Sequence, residues 1–254
     1  MYQYLDLGHN IKIPLYNLVI GIGIIFGILI LDYQNKKREI KHTQEIDLYI
    51  SITLSMIFGI LGTKIFYLLF SKQNITINNI VDSGMTYYGG LIFGIILFVT
   101  YNLCRNNDIL NMFNITIPSL IIAHAFGRIG CFLGGCCFGK PTNSFIGVIF
   151  PKNTIPYDFY ERYAKIFPTQ LFESFFLFLL FIVLENYVKF NYKLITYFIF
   201  YGLFRFFLEY LRGDNRGVLF SEIFSPSQII SIFFILLGIT LFIFIKNKKR
   251  LTSK

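Results

Sequence analysis

Charge is scarce in this chain of 254 residues. Lys, Arg, Asp and Glu make up 15% of it, where a soluble domain carries about 25%. Hydrophobic residues reach 55%, so there is too little polar surface to coat a water-soluble fold, and lipid is the expected solvent. Cysteine is also sparse. Four in a long apolar chain do not make a disulfide scaffold. No arginine-aromatic motif of an RNA binder occurs, so the net charge of +9 reads better as basic loops beside anionic lipid, and nucleic acid is not an expected partner. Internal repeats, low-complexity linkers and a separate cleavable leader are all absent to the eye. Asp6 and Lys12 precede the first apolar run, which behaves as a retained span. One polytopic membrane domain over 1–254 is the expectation.

What the chain has is long apolar runs. A spanning helix needs about 20 mostly apolar residues. Six runs approach that length, Leu15–Leu31, Ile46–Phe70, Tyr87–Leu103, Leu171–Val188, Leu194–Leu211 and Phe224–Ile245, and the shorter Ile115–Phe126, with Pro118 and His124, is a plausible fourth span that runs into a glycine-rich segment. The fold class is therefore an all-α integral membrane protein of about seven transmembrane helices. With the N-terminus outside, the inner loops hold twelve basic residues and the outer side eight. Basic residues collect in inner loops, so N-out and C-in is the expected topology, with the tail 246–254 in the cytoplasm.

Four segments carry candidate chemistry. In the sixth run Arg205 and Glu209 are four apart, share a helix face and can pair. A structural ion pair is one reading. Arg212 and Arg216 follow at the outer mouth, and three arginines round one mouth suit a phosphate, which guanidinium grips bidentately. The second segment, about 124–142, centres on Gly127-Arg128-Ile129-Gly130-Cys131 and continues through Cys136, Cys137 and Gly139. Its five glycines allow a sharp turn or close backbone approach, and a tight helix crossing is the plainer alternative. His124 reads as a packed core histidine. Zinc ligands usually pair two to four residues apart, a spacing Cys131, Cys136 and Cys137 lack, so these three read as small packing residues and no metal or other cofactor is expected. Third, Pro168-Thr169-Gln170-Leu171-Phe172-Glu173 fits ordinary helix capping. Fourth, Tyr87-Tyr88-Gly89-Gly90 opens the third run and fits an interfacial aromatic belt.

Taken in order, these segments resemble the prolipoprotein diacylglyceryl transferase family. Tyr88-Gly89-Gly90 stands where that family commonly has His-Gly-Gly. Gly127-Arg128-Ile129-Gly130 opens its signature, Pro168 to Glu173 is similar to its Pro-(Thr/Ser)-Gln-Leu-Tyr-Glu, and Tyr201-Gly202, Arg205 and Glu209 match its sixth-helix pattern. The resemblance runs from Ile13-Pro14-Leu15-Tyr16 to the seventh run. It implies transfer of the diacylglyceryl group of phosphatidylglycerol to the lipobox cysteine thiol of a prolipoprotein, in a bacterial cytoplasmic membrane, at a site open to the outer leaflet. It implies catalytic roles for Arg128, Arg205, Glu209 and Tyr88. It implies substrate contacts from Tyr16, Gly89, Gly90, Gly127, Gly130, Gly139, Gln170, Glu173, Tyr201, Arg212 and Arg216. The partners implied are phosphatidylglycerol, lipobox peptides and the bilayer.

The chain departs from the family at Tyr88 and Phe167, where histidines are usual, and at Cys131 and Cys136, where the signature has Asn and Glu. These departures leave the proton acceptor open. A relative that passes a lipid moiety to another acceptor remains an alternative. So does a transporter, although a transporter would usually show internal repeats.

Overall fold

A computed structural model describes residues 4–6, 12–71, 74, 76–84, 86–152, 154–160, 164–214 and 224–252. A short hairpin of β1 (Tyr4–Asp6) and β2 (Lys12–Pro14) leads into α1 (Leu15–Arg38). Then come α2 (His42–Phe70), α3 (Ile77–Asp82), α4 (Tyr87–Cys104) and α5 (Ile109–Gly134). After α5 the chain leaves the helical pattern through β3 (Val148–Ile149), α6 (Ile155–Tyr160) and β4 (Lys165–Ile166). It finishes with α7 (Thr169–Asn186), α8 (Lys193–Leu208) and α9 (Pro226–Thr252).

Lipid cannot hydrogen bond to backbone, so each apolar run closes its own N–H and C=O groups as a helix. Six of the described helices are long and apolar enough to cross a membrane, and a seventh apolar helix, at Tyr88–Cys104, is shorter. The polarity of the fold is inverted relative to a soluble protein. Phe233 and Leu236 on α9 are more than half exposed, while Thr169, Gln170, Glu173 and Arg205 are buried.

Two expected boundaries move. The fourth run does not stop at Phe126: α5 begins at Ile109, carries Pro118 inside it, and continues to Gly134. Most of the glycine segment is therefore helix. Gly130 and Gly134 are small because α1 crosses there, and an added Cβ on either would lie 3.3 Å from Tyr16. The C-terminal tail is also helical, since α9 runs on to Thr252.

The helices cluster into two compact units. In Gln34–Phe113, α2 and α4 meet through glycines: a Cβ on Gly89 would collide with the Gly62 carbonyl, and one on Gly59 would sit 3.3 Å from the Gly90 carbonyl. The charge inside the second run is explained locally. Lys64 Nζ donates to the carbonyls of Ile80 and Val81, 2.8 Å each, and so satisfies the end of α3. Asp47 is buried and accepts from Arg105 Nε (2.8 Å), Asn107 Nδ2 (3.1 Å) and Tyr101 Oη (3.3 Å).

In the unit formed by Met1–Tyr33 and Asn114–Lys254, small and polar residues bind the helices. Ser119 Oγ donates to the Gly27 carbonyl (2.5 Å), and Ser174 Oγ donates to the Ala125 carbonyl (3.0 Å). A Cβ on Gly202 would lie 3.0 Å from the Ser231 carbonyl, so α8 and α9 are in close contact. Lys193 is fully buried and pairs with Glu185.

Asp47→Ala should lower the thermal unfolding midpoint in detergent. It leaves the buried Asn107 amide without its carboxylate acceptor and frees the exposed Arg105, a loss of about 1–3 kcal/mol, which circular dichroism of the helix signal reads directly.

Candidate active site

The site grows from the end of α5. Gly135 takes φ +71° and ends the helix, with Gly135 N–H donating to Phe132 O and Cys136 N–H to Cys131 O, both 3.1 Å. This paired closure is the Schellman arrangement. Cys137 then also adopts a left-handed φ of 61°. The sharp turn that the glycines promised is thus real, but it is confined to 135–137.

The Pro-Thr-Gln motif holds this turn. Instead of capping α7, the Thr169 hydroxyl donates to the Cys137 carbonyl (2.9 Å) and Gln170 Nε2 donates to the Cys136 carbonyl (2.6 Å). The capping reading of these side chains is therefore corrected: they clamp another segment's backbone. One helical turn on, Glu173 accepts from Arg128 Nη2 (3.1 Å) and from Tyr201 Oη (2.8 Å), with no exposed surface of its own. Arg128 Nε donates to His124 Nε2 (3.2 Å), so the ring's own hydrogen belongs on Nδ1. His124 packs edge-on to Tyr201. Three elements, α5, α7 and α8, converge on one carboxylate.

The second arginine lies on α8. Arg205 Nη2 is 2.8 Å from Glu209 Oε2 and donates to Ser227 Oγ (3.0 Å). Arg212 Nε approaches the same Glu209 oxygen at 3.9 Å, and Arg212 grips Asp214 with both Nε (2.9 Å) and Nη2 (2.8 Å). Burial would depress the Arg212 pKa, but the hydrogen bonds and charge of Asp214 outweigh it and hold it above the ordinary guanidinium value. Arg212 is set in place by backbone. Gly139 and Arg212 form a bridge, Lys140 N–H donates to Leu211 O (2.8 Å), and Gly213 N–H donates to Phe138 O (3.1 Å). Gly139 must be small, since a Cβ there would lie 2.5 Å from the Phe167 carbonyl and 2.9 Å from that of Leu211.

The buried polar atoms in this unit without a hydrogen-bond partner include two guanidinium nitrogens, Arg205 Nη1 and Arg212 Nη1, and two oxygens, Gln170 Oε1 and Glu173 Oε2. Buried groups of this kind are costly unless something else satisfies them. Open space is nearby, since an added Cβ at Gly127 meets nothing within 4 Å. A pair of unpartnered donors with a pair of unpartnered acceptors suits a ligand that combines an anion with hydroxyls.

The family model described as prolipoprotein diacylglyceryl transferase matches residues 3–244. The chain belongs to the prolipoprotein diacylglyceryl transferase family. A phosphatidylglycerol–prolipoprotein diacylglyceryl transferase of Clostridium tetani is 37% identical over 241 residues, covering 92% of this chain and 93% of that protein. Another of the same name, numbered 2, from Clostridium perfringens, is 34% identical over 250 residues, covering 95% and 94%. One from Finegoldia magna is 30% identical over 254 residues, covering 95% and 94%.

Within this transferase fold, Arg128, Gln170, Glu173, Tyr201, Arg205, Glu209 and Arg212 fall in one compact unit, as do Tyr16, Gly127, Gly130 and Gly139. Tyr88, Gly89 and Gly90 belong to the other unit, where both glycines are occupied by the contact with α2. Arg216 lies outside the described residues. Sequence reasoning read His124 only as a packed core histidine and Thr169 only as a capping residue, and it offered no signal for Ser227. His124 stands one helical turn before Arg128, a spacing that was the available signal.

The three cysteines change their meaning. Their spacing argued against a shared ion, but the left-handed pair Gly135 and Cys137 folds the chain back so that all three Sγ atoms lie within 4.8 Å of one another.

Glu173→Ala should be severe, because it strands Arg128 as an uncompensated buried charge, a loss of about 3–5 kcal/mol. Tyr201→Phe removes one hydrogen bond and should lose only about 1 kcal/mol. Thermal unfolding of the two variants in detergent checks the order.

Proposed function

We propose that this chain transfers the diacylglyceryl group of phosphatidylglycerol to the lipobox cysteine thiol of prolipoproteins, the first step of bacterial lipoprotein maturation. The observation that carries this reading is the pair of buried, unpartnered nitrogens, Arg205 Nη1 and Arg212 Nη1, on two arginines that share Glu209. The names of the relatives supply the substrates, phosphatidylglycerol and a prolipoprotein.

The chemistry follows from charge. The acceptor thiolate attacks the glycerol carbon of the diacylglyceryl group, the carbon–oxygen bond to phosphate breaks, and glycerol phosphate leaves with the electron pair. Negative charge accumulates on that leaving oxygen, so fixed cations in a dry site lower the barrier. Arg205 and Arg212 receive the phosphodiester oxygens through their free nitrogens. Glu209, Ser227 and Asp214 hold the two guanidinium planes, so little reorganisation is needed when charge develops. Gln170 Oε1 and Glu173 Oε2 accept from the headgroup hydroxyls, which separates phosphatidylglycerol from lipids without them. Arg128, fixed by Glu173 and His124, adds positive potential. Tyr16, beside Gly130 and Gly134, forms part of the wall, and Tyr88 is a hydrogen-bond donor to lipid.

The enzyme sits in the bacterial cytoplasmic membrane with its N-terminus outside and its site open to the outer leaflet, where exported precursors arrive. The excess of basic residues in the inner loops supports this orientation.

Arg205→Ala and Arg128→Ala should each reduce transfer from labelled phosphatidylglycerol to a lipobox peptide by at least about a hundredfold, near 2.7 kcal/mol. Lys at position 205 should recover only part, because a point charge cannot hold Glu209, Ser227 and a phosphate oxygen together. Normal turnover in Arg205→Ala would remove the phosphate assignment. For topology, alkaline phosphatase fused after Lys254 should be inactive and a fluorescent protein there should be bright. Active phosphatase at that fusion would reverse the orientation.

A further inference from the structure

In the arginine network the carboxylates Glu173, Glu209 and Asp214 and the ring nitrogen of His124 that accepts are each engaged by a guanidinium, so the attacking thiol finds no dedicated proton acceptor there. The three cysteines offer another route. Cys131 lies in the last turn of α5, and Cys136 and Cys137 lie just beyond the left-handed Gly135. Their sulfurs all fall within 4.8 Å of one another, the one cluster of this kind among the described residues. With metal–sulfur bonds of about 2.3 Å, a trigonal ion would space its sulfurs about 4.0 Å apart. The observed separations, all within 4.8 Å, lie close to that spacing.

The surroundings fit an ion as well. The turn is already held from behind by Thr169 and Gln170, so the sulfurs are presented on a preformed scaffold. Cys137 keeps a left-handed backbone that a residue with a side chain rarely adopts, and this conformation is what returns its sulfur towards Cys131. Three thiolates around a divalent ion carry one net negative charge, and Arg128 and Arg212 are the neighbouring cations that balance it. Soft thiolates select zinc-like ions over magnesium or calcium.

Resting on the transfer reaction proposed above, we infer that Cys131, Cys136 and Cys137 bind one zinc-class thiophilic divalent cation whose fourth position takes the acceptor cysteine thiol. A thiol that coordinates such an ion is deprotonated outright, and the proton passes to water. The bound sulfur then forms its bond to the glycerol carbon as the carbon–oxygen bond breaks, the leaving phosphate keeps that electron pair, and the thioether product dissociates from an unchanged ion. The usual histidines at positions 88 and 167 become unnecessary by this route.

Cobalt(II) is the probe. The purified, reduced, metal-free protein in detergent without phosphatidylglycerol should bind one equivalent and show sulfur-to-cobalt charge transfer with tetrahedral visible bands. Cys→Ser at 131, 136 or 137 should weaken binding at least tenfold, whereas Cys104→Ser, outside the cluster, should not. A lipobox peptide should shift the visible bands, and its Cys→Ser version should not. The proposal is overturned by absence of the bands, by equal bands in the triple Ser variant, or by a cysteine peptide that leaves the spectrum unchanged. It is also overturned by a native disulfide between two of the three cysteines, read by mass spectrometry. The two readings separate cleanly. Transfer that persists in verified metal-free protein sinks the ion and spares the transferase. Cysteine-dependent cobalt binding with a peptide-induced shift, but without any lipid transfer, does the reverse.

Discussion

A carboxylate with no exposed surface in a membrane helix has to be matched on the spot, and Glu173 organises this protein for that reason. It accepts from Arg128 on α5 and from Tyr201 on α8 while projecting from α7. Apolar side chains gain little from leaving lipid for one another, so such polar contacts and close approaches at small residues carry much of the helix register. Removing the carboxylate would leave a cation in a place that tolerates none. The pair is therefore a constraint on three helices at once, and the placement of Arg128 follows from it.

The rest of the site is built outward from that point by backbone carbonyls. The turn after α5 exposes the Cys136 and Cys137 carbonyls, and α7 takes them with Thr169 and Gln170 just before it supplies Glu173. One short motif thus fixes both the turn and the arginine. On the far side of the turn, Gly139 and Gly213 allow strands of bare backbone to come together, and Arg212 is carried into position by that contact. Arg205 is held separately by Glu209 and Ser227. The two guanidiniums share Glu209 and are otherwise held by different partners, and each keeps one nitrogen without a hydrogen-bond partner.

The usual family histidine before Gly-Gly is Tyr88, and the one before Pro-Thr-Gln is Phe167. In a chain without these bases, Cys131 at the end of α5 and Cys136 and Cys137 just beyond it bring three sulfurs together. On the proposed reading, the departures fall at the positions that would handle a proton, while the arginines proposed to bind phosphate are kept. That distribution is what a change in the means of thiol activation, with an unchanged lipid substrate, would leave behind.

Much of this was legible in the chain itself. Low charge and seven apolar runs dictate a helical membrane protein, because no other backbone arrangement with such runs satisfies itself in lipid. The i, i+4 spacing of Arg205 and Glu209 dictates their pairing, and motif order was enough to establish the family resemblance. The partners of Arg128, the clamp made by Thr169 and Gln170, and the gathering of Cys131, Cys136 and Cys137 were not legible. Each depends on a contact between distant segments or on a left-handed backbone at one residue, and neither leaves a periodic trace. Glycines show the limit most clearly. Gly89, Gly130 and Gly135 are the same letter, but the first makes room for α2, the second for α1, and only the third turns the chain. Composition specifies that small residues are present; the packing around each one decides what its missing side chain is for.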